Sequence, residues 1–189
     1  MNIDIALCVG HSRWVKGRRE GGAASIDGTS EWDYNEELAE LLSDELSEFE
    51  VEIFDDYEGA GYTSAMQWLA SHIRKIDAAC AIELHFNAAH PNARGHEWLH
   101  WHRSARGLAL AERLEAAFEV GIPSRGVKPI TDDERGALFL RSVPPPAVIA
   151  EPFFGSSADD WKIAQDKVAI ARCMAAGIRA WFADGFDKT

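Results

Sequence analysis

Short apolar runs alternate along this chain with longer segments of helical period. Ile3–Val9 reads as a buried strand. Leu38, Leu41, Leu42, Leu46 and Phe49 make a stripe at helical spacing, with Thr29 or Ser30 placed to cap the helix. Val51–Phe54 reads as a short strand, Ala65–Ile76 as a second helix and Ala78–Phe86 as another apolar strand. His96–His102 has the character of a strand. Ser104–Val120 is helical and is stopped by Gly121 and Pro123. Leu138–Leu140 and Ala147–Ala150 read as two short strands around the Pro144-Pro145-Pro146 turn. A last stripe, Trp161, Ala164, Val168, Ala171, Ala175, Ile178 and Phe182, predicts one long helix with Ser156 or Ser157 before it as cap. Repeated alternation of strand and helix predicts an α/β fold with a mostly parallel sheet, whose chemistry collects at the carboxyl ends of the strands.

With 189 residues, 47% of them hydrophobic and 26% charged, the chain has the length and composition of one globular domain. No run reaches 18 apolar residues, so no membrane insertion is expected. The first residues carry no basic segment and Asp4 breaks their apolar run, so no secretory signal is expected and synthesis is placed in the cytoplasm. Net charge is −12. Residues 1–60 hold 16 acids and 4 bases, and the remainder holds 15 of each, so the excess lies wholly in that first third. Residues 31–58 contain 13 acids and no base, which would repel phosphate and argues against nucleic acid as a partner. Three cysteines (Cys8, Cys80 and Cys173), with no CxxC pair, argue against a disulfide framework or a thiolate zinc site.

Three charged or titratable residues lie at or directly after the ends of predicted strands: His11 in Gly10-His11-Ser12, His85 in Leu84-His85-Phe86-Asn87-Ala88, and Glu151 in Ile149-Ala150-Glu151-Pro152. A charged group there is costly unless it is paired or binds a metal. Together they suggest a catalytic zinc site, which takes three His and carboxylate ligands and leaves a fourth position for water. Such chemistry also needs a carboxylate as proton shuttle. A further acid is therefore required as ligand. Glu31 is the choice, because Asn35, Leu38 and Leu42 continue it along the inward stripe of the first helix. Glu36, beside Glu37 and Glu40, is the rival and reads as a solvated face residue.

At this point the chain resembles a known family. Gly10-His11, Glu31-Trp32-Asp33-Tyr34-Asn35, Leu84-His85-Phe86-Asn87-Ala88 and Pro146-Ala147-Val148-Ile149-Ala150-Glu151 look like the zinc-dependent N-acetylmuramoyl-L-alanine amidases of the amidase type 3 family, to which many phage endolysins and bacterial autolysins belong. Arg125-Gly126-Val127-Lys128 and Leu138-Phe139-Leu140-Arg141 also resemble family segments. The likeness runs from about Ile5 to Phe182. It implies a single twisted mixed sheet flanked by helices on both faces. It implies one zinc ion held by His11, Glu31 and His85, with Glu151 as catalytic acid and base. It implies peptidoglycan as the partner and hydrolysis of the amide between N-acetylmuramic acid and L-alanine as the reaction. Asn87, His96 and Glu97 are expected to touch substrate.

The chain also departs from the family. Members often have an acid shortly before the Gly-His pair and Gly after it, where this chain has Leu7-Cys8-Val9 and Ser12. Many carry Ser two residues before the second histidine, where this chain has Glu83. Glu83 would share a strand face with His85 and is expected either to orient that ligand or to replace Glu31 at the metal. His96, His100 and His102 form a second set on one strand face, open to a metal or to a plain polar face. Arg13–Gly28 and Thr131–Gly136 read as loops near the cleft, and the seven tryptophans fit a sugar- and peptide-binding groove as well as a core. Besides the amidase, two readings stay open: another zinc peptidase cutting the stem peptide, and a non-catalytic cell-wall-binding module, against which Glu151 argues. Seven residues follow Phe182, so residues 1–189 are expected to form one catalytic domain with no separate wall-binding domain, acting on the cell wall as a phage or prophage enzyme would.

Overall fold

The computed structural model describes residues 3–186. Its centre is a six-stranded sheet built from β1 (Ile5–Val9), β4 (Val51–Phe54), β5 (Cys80–Leu84), β6 (His96–Trp101), β7 (Ser124–Ile130) and β8 (Ala147–Glu151). The order across the sheet is β4-β1-β5-β8-β6-β7. Neighbours are parallel except β6 and β8, which run antiparallel, so the sheet is mixed. The central strands β1 and β5 are buried at every position, which is why β1 reads as an unbroken apolar run and β5 as one interrupted only by Glu83.

Alternate residues of these strands feed two separate cores. Ile5, Leu7, Val9, Ile82, Leu84 and Val148 face one core, with α1 (Glu31–Glu45), α3 (Ala105–Ala117) and α6 (Lys167–Ala183). Ala6, Cys8, Ala81, Ala147 and Ile149 face the other, with α2 (Tyr62–Ile76) and α4 (Ala137–Ser142). Helices therefore cover both faces, as an α/β sheet of this kind requires.

Three local expectations change, and one strand, β7, had none. Leu138–Leu140 lies within α4 and is not a strand; three apolar residues in a row have no period to separate the two. The last helical stripe is two helices, α5 (Ala158–Ala164) and α6, because the Asp166 side chain accepts a hydrogen bond from Ala169 N and caps a new start. The helix expected to reach Val120 ends at Ala117. β7 is an edge strand with mostly exposed residues and a proline, so it carries no hydrophobic signal. The loop after His11 contains a small hairpin, β2 (Trp14–Val15) and β3 (Arg18–Arg19). Arg19 clamps it, with its guanidinium 4.4 Å from the Trp32 ring and 5.0 Å from the Trp14 ring.

The loop leaving β8 is tied to the turn entering β6 by Asp160. This carboxylate is fully buried in α5. It accepts from Arg94 Nε at 2.9 Å, Gly95 N at 2.7 Å and Phe154 N at 3.3 Å. Asp160→Ala would leave those donors without a buried partner and is expected to lower the unfolding free energy by about 3 kcal/mol. Urea unfolding at neutral pH checks this, and a loss below about 1 kcal/mol would contradict it.

Candidate metal centre

The carboxyl ends of β1, β5 and β8 lie side by side, and three of the expected residues leave from them. Gly10 ends β1 by donating its N–H to Leu84 O, and His11 follows in a left-handed conformation at φ 61°. His85 follows β5, its N–H bonded to Ala150 O of β8. Glu151 is the last residue of β8. Glu31 arrives from the opposite direction as the first residue of α1, capped by Ser30, whose Oγ accepts from Asp33 N. A carboxylate at a helix N-terminus is favoured by the free N–H groups and the helix dipole.

His11, Glu31 and His85 each offer a donor atom, and these atoms lie within 4.8 Å of one another. No other group of three such residues forms among the described residues. Glu31 is 3% exposed and both of its oxygens are used. Oε1 accepts from His85 Nδ1 at 2.8 Å and from Phe86 N at 3.1 Å. Oε2 accepts from Ala23 N at 2.9 Å and lies 3.3 Å from His11 Nε2. The two imidazole rings meet edge to face at 5.1 Å. Glu36 is on the outer side of α1 and takes no part.

Backbone close approach shapes this cluster. A Cβ on Gly10 would lie 2.4 Å from His85 Cε1, and one on Gly22 would lie 2.5 Å from His11 Cδ2 and 2.6 Å from Glu31 Oε2. Gly22 also needs φ 71°. The loop after the hairpin thus closes over His11 and Glu31. Gly10 stood in the sequence only as part of the Gly10-His11 motif and Gly22 not at all, because a close contact with a side chain far along the chain leaves no local mark.

Electrostatics suit a cation. Burial pushes the Glu31 carboxyl up, but hydrogen bonds and charges from His11 and His85 outweigh this and hold it well below the ordinary range. Burial alone would lower His85, yet Glu31 and Glu83 hold it well above an ordinary histidine. The pocket thus retains a proton where a divalent ion would compete for the same donors. Burial pushes the Glu151 carboxyl up to about 8; the His85 charge opposes this, and Glu31, Glu97 and Glu83 add to it. Glu151 Oε2 is enclosed and has no hydrogen-bond partner among the described residues. Two imidazoles, one carboxylate and a further carboxylate match in kind the donor set that a three-ligand catalytic metal site with an open position would need.

All four residues line a cleft of about 630 Å³ that opens toward α2 and α4. Asn87 lines it too, with Nδ2 donating to Glu97 Oε1 at 2.9 Å, so its oxygen is what remains to accept from a ligand. Glu97 and His96 do not line it. Glu97 reaches this end of the sheet because β6 runs antiparallel, opposite Glu151, but its carboxylate is taken by Asn87 and by Arg125 Nε at 2.8 Å. His96 is 2% exposed, with Nδ1 bonded to Ile122 O and Nε2 3.1 Å from Glu115. His100 and His102 bond backbone carbonyls and gather no metal set. None of the seven tryptophans lines the cleft; Trp98 and Trp181 are core. The Thr131–Gly136 loop does border it, through Asp132, Glu134 and Arg135. Ser12, where the family pattern has glycine, is buried and bonds Val9 O and Trp32 Nε1, joining β1 to α1.

The sequence matches the family described as N-acetylmuramoyl-L-alanine amidase over residues 5–180. Among solved structures, the catalytic domain of the CD27L endolysin targeting Clostridia difficile is 25% identical, with a TM-score of 0.80 over 94% of this chain and 97% of that one. The CwlD amidase of Clostridioides difficile, solved with the GerS lipoprotein, is 21% identical, with a TM-score of 0.80 over 97% and 100%. The catalytic domain of CwlV from Bacillus (Paenibacillus) polymyxa var. colistinus is 19% identical, with a TM-score of 0.78 over 96% and 99%. No curated protein matches.

Two outcomes follow from this geometry. Gly10→Ala displaces the His85 ring and is expected to lower activity about 100-fold while the protein stays folded, as an ångström-scale misplacement does; circular dichroism and rate measurements check it together. In the metal-free protein, Glu151 holds a proton between its ordinary value of 4.5 and about 8 that the unfolded chain has lost. Its contribution to stability therefore falls as pH rises through that window, by at most about 1.4 kcal/mol per pH unit. Glu151→Gln removes this slope, so the variant gains on wild type from pH 5 to pH 8 in urea unfolding with chelator present.

Proposed function

The chain belongs to the N-acetylmuramoyl-L-alanine amidase family, and on that footing we propose that the cleft performs the family reaction with one zinc ion held by His11, Glu31 and His85 and with Glu151 as acid and base. The reaction is hydrolysis of the amide that joins N-acetylmuramic acid to L-alanine in peptidoglycan. Membership decides for this reading over a stem-peptide peptidase or a binding module. No helix among the described residues is long and apolar enough to cross a membrane. We take the whole described chain, built on one sheet, as the catalytic domain, and the cell wall as its place of action.

The observation that carries the proposal is the convergence of three donor atoms within 4.8 Å in a cleft shared with Glu151, whose enclosed Oε2 has no hydrogen-bond partner among the described residues. When bound, zinc supplies Lewis acidity, which polarises a carbonyl and lets water act as a nucleophile near neutral pH. The protein's own residues do the rest. Glu31 and the two histidines hold their donors in place through bonds to three separate chain segments. Glu151, free of hydrogen bonds at Oε2, takes a proton from the attacking water and returns it to the alanine nitrogen as the C–N bond breaks. A divalent cation nearby favours its ionised form, and a pKa lifted by burial keeps it a competent acid for the second transfer. Asn87 offers its oxygen as an acceptor to a substrate N–H at the cleft wall.

Digestion of purified peptidoglycan, read by mass spectrometry, is expected to give intact glycan strands and peptides with a free L-alanine amine. Chelation should abolish the products and added zinc should restore them. Glu151→Gln is expected to bind zinc at one ion per chain as wild type does and to lose about 100- to 10,000-fold in kcat. Cuts within the stem peptide, or near-normal turnover by Glu151→Gln, would refute this function and mechanism respectively.

A further inference from the structure

Glu83 is a buried carboxylate with no part in the steps above. It is 4% exposed, and it stands on the strand face that otherwise presents Ala6, Cys8, Ala81, Ala147 and Ile149 to the second core. Its register partners are Cys8 and Ile149. An acid placed among such residues is costly unless something answers it. What answers it is His85: Glu83 Oε2 lies 3.3 Å from His85 Nε2. The other nitrogen of that ring, Nδ1, faces Glu31 at 2.8 Å. Gly10 packs against the ring itself. The imidazole is thus held at both nitrogens by carboxylates and along one side by backbone.

We propose that Glu83 is the positioning residue of the metal centre: its carboxylate accepts the Nε2–H of His85, which fixes the tautomer that presents Nδ1 as the donor and makes that donor more basic. This rests on the zinc reading above. A serine, the residue many family members carry here, is shorter and neutral and would leave His85 Nε2 without this charged acceptor. The other ligand has no equal support. His11 Nδ1 is 4.0 Å from Glu20, which is half-exposed and paired with Arg13 at 3.1 Å.

The test is zinc affinity of the full chain, measured by competition with a chelator of known affinity, for wild type, Glu83→Gln, Glu83→Leu and Glu20→Gln. Glu83→Leu is expected to bind zinc 10- to 100-fold more weakly. Glu83→Gln keeps an acceptor oxygen and should fall between Leu and wild type, while Glu20→Gln should change affinity less than either. In nitrogen-resolved NMR of the zinc-loaded protein, the His85 Nε2–H proton should be slow to exchange in wild type and lost in Glu83→Leu. Circular dichroism confirms the fold, and if Glu83→Leu does not fold, Glu83→Gln against wild type decides by the same measurements. Wild-type affinity in both Glu83 variants overturns the role. Gln as weak as Leu also overturns it, because Glu83 would then act only as a nearby charge. A wild type that takes up no zinc overturns the zinc reading and this inference with it.

Discussion

The carboxylate of Glu31 is the common acceptor for three parts of the chain. Through Oε1 it holds the end of β5, at His85 and Phe86; through Oε2 it holds the loop after the hairpin, at Ala23, and the end of β1, at His11. Because Glu31 opens α1, these bonds also set the position of that helix over the sheet. A buried carboxylate is tolerable only with such a full set of donors. Remove it, and His85 Nδ1, His11 Nε2 and the N–H groups of Ala23 and Phe86 would lose their shared acceptor.

The same constraint explains the concentration of acid at one end of the sheet. Glu31, Glu83 and Glu151 surround His85, and their mutual repulsion is offset by imidazole charge and by ordered donors in the protein alone. Glu151 is the group left over, pushed up to about 8 by burial and by its acidic neighbours against the pull of His85. A site with this surplus of negative charge and one free carboxylate is arranged around a cation. The acidic excess of the first third of the chain has a different origin. It lies mostly on the outer faces of α1 and the loops, where it is solvated and, in part, paired with Lys167, Arg172 and Arg179 of α6.

The mixed character of the sheet has a consequence for the site. Parallel β1, β5 and β8 deliver His11, His85 and Glu151 to one edge, while antiparallel β6 delivers its start rather than its end. Glu97 therefore stands opposite Glu151 and anchors Asn87 instead of meeting the cleft directly. Arg13 and Glu20, which flank the hairpin, and Ala23 after it form the remaining wall.

Much of this was legible in the residues themselves. Apolar runs mark β1, β5 and β8, broken only by Glu83 in β5, because those strands are buried on both faces, and a histidine or glutamate at the end of such a run has few places to go but a site. Glu31 was distinguishable from Glu36 by helical phase alone. Glu83 was visible as a strand-face neighbour of His85, though not which of its two suggested roles it would take. What the tertiary structure decided is whatever depends on partners distant along the chain. Leu138–Leu140 became helix and β7 became an edge strand, since neither carries a period that separates the alternatives. His96 is buried against Ile122 and Glu115, and Glu97 is turned to Arg125, because the side on which a strand residue meets its neighbours is settled by strand order and direction. Gly10 and Gly22 matter only because other side chains come to rest on them. Periodicity records which face of an element is apolar; it holds no record of what lies across from that face, and a site is made of those meetings between distant parts of the chain.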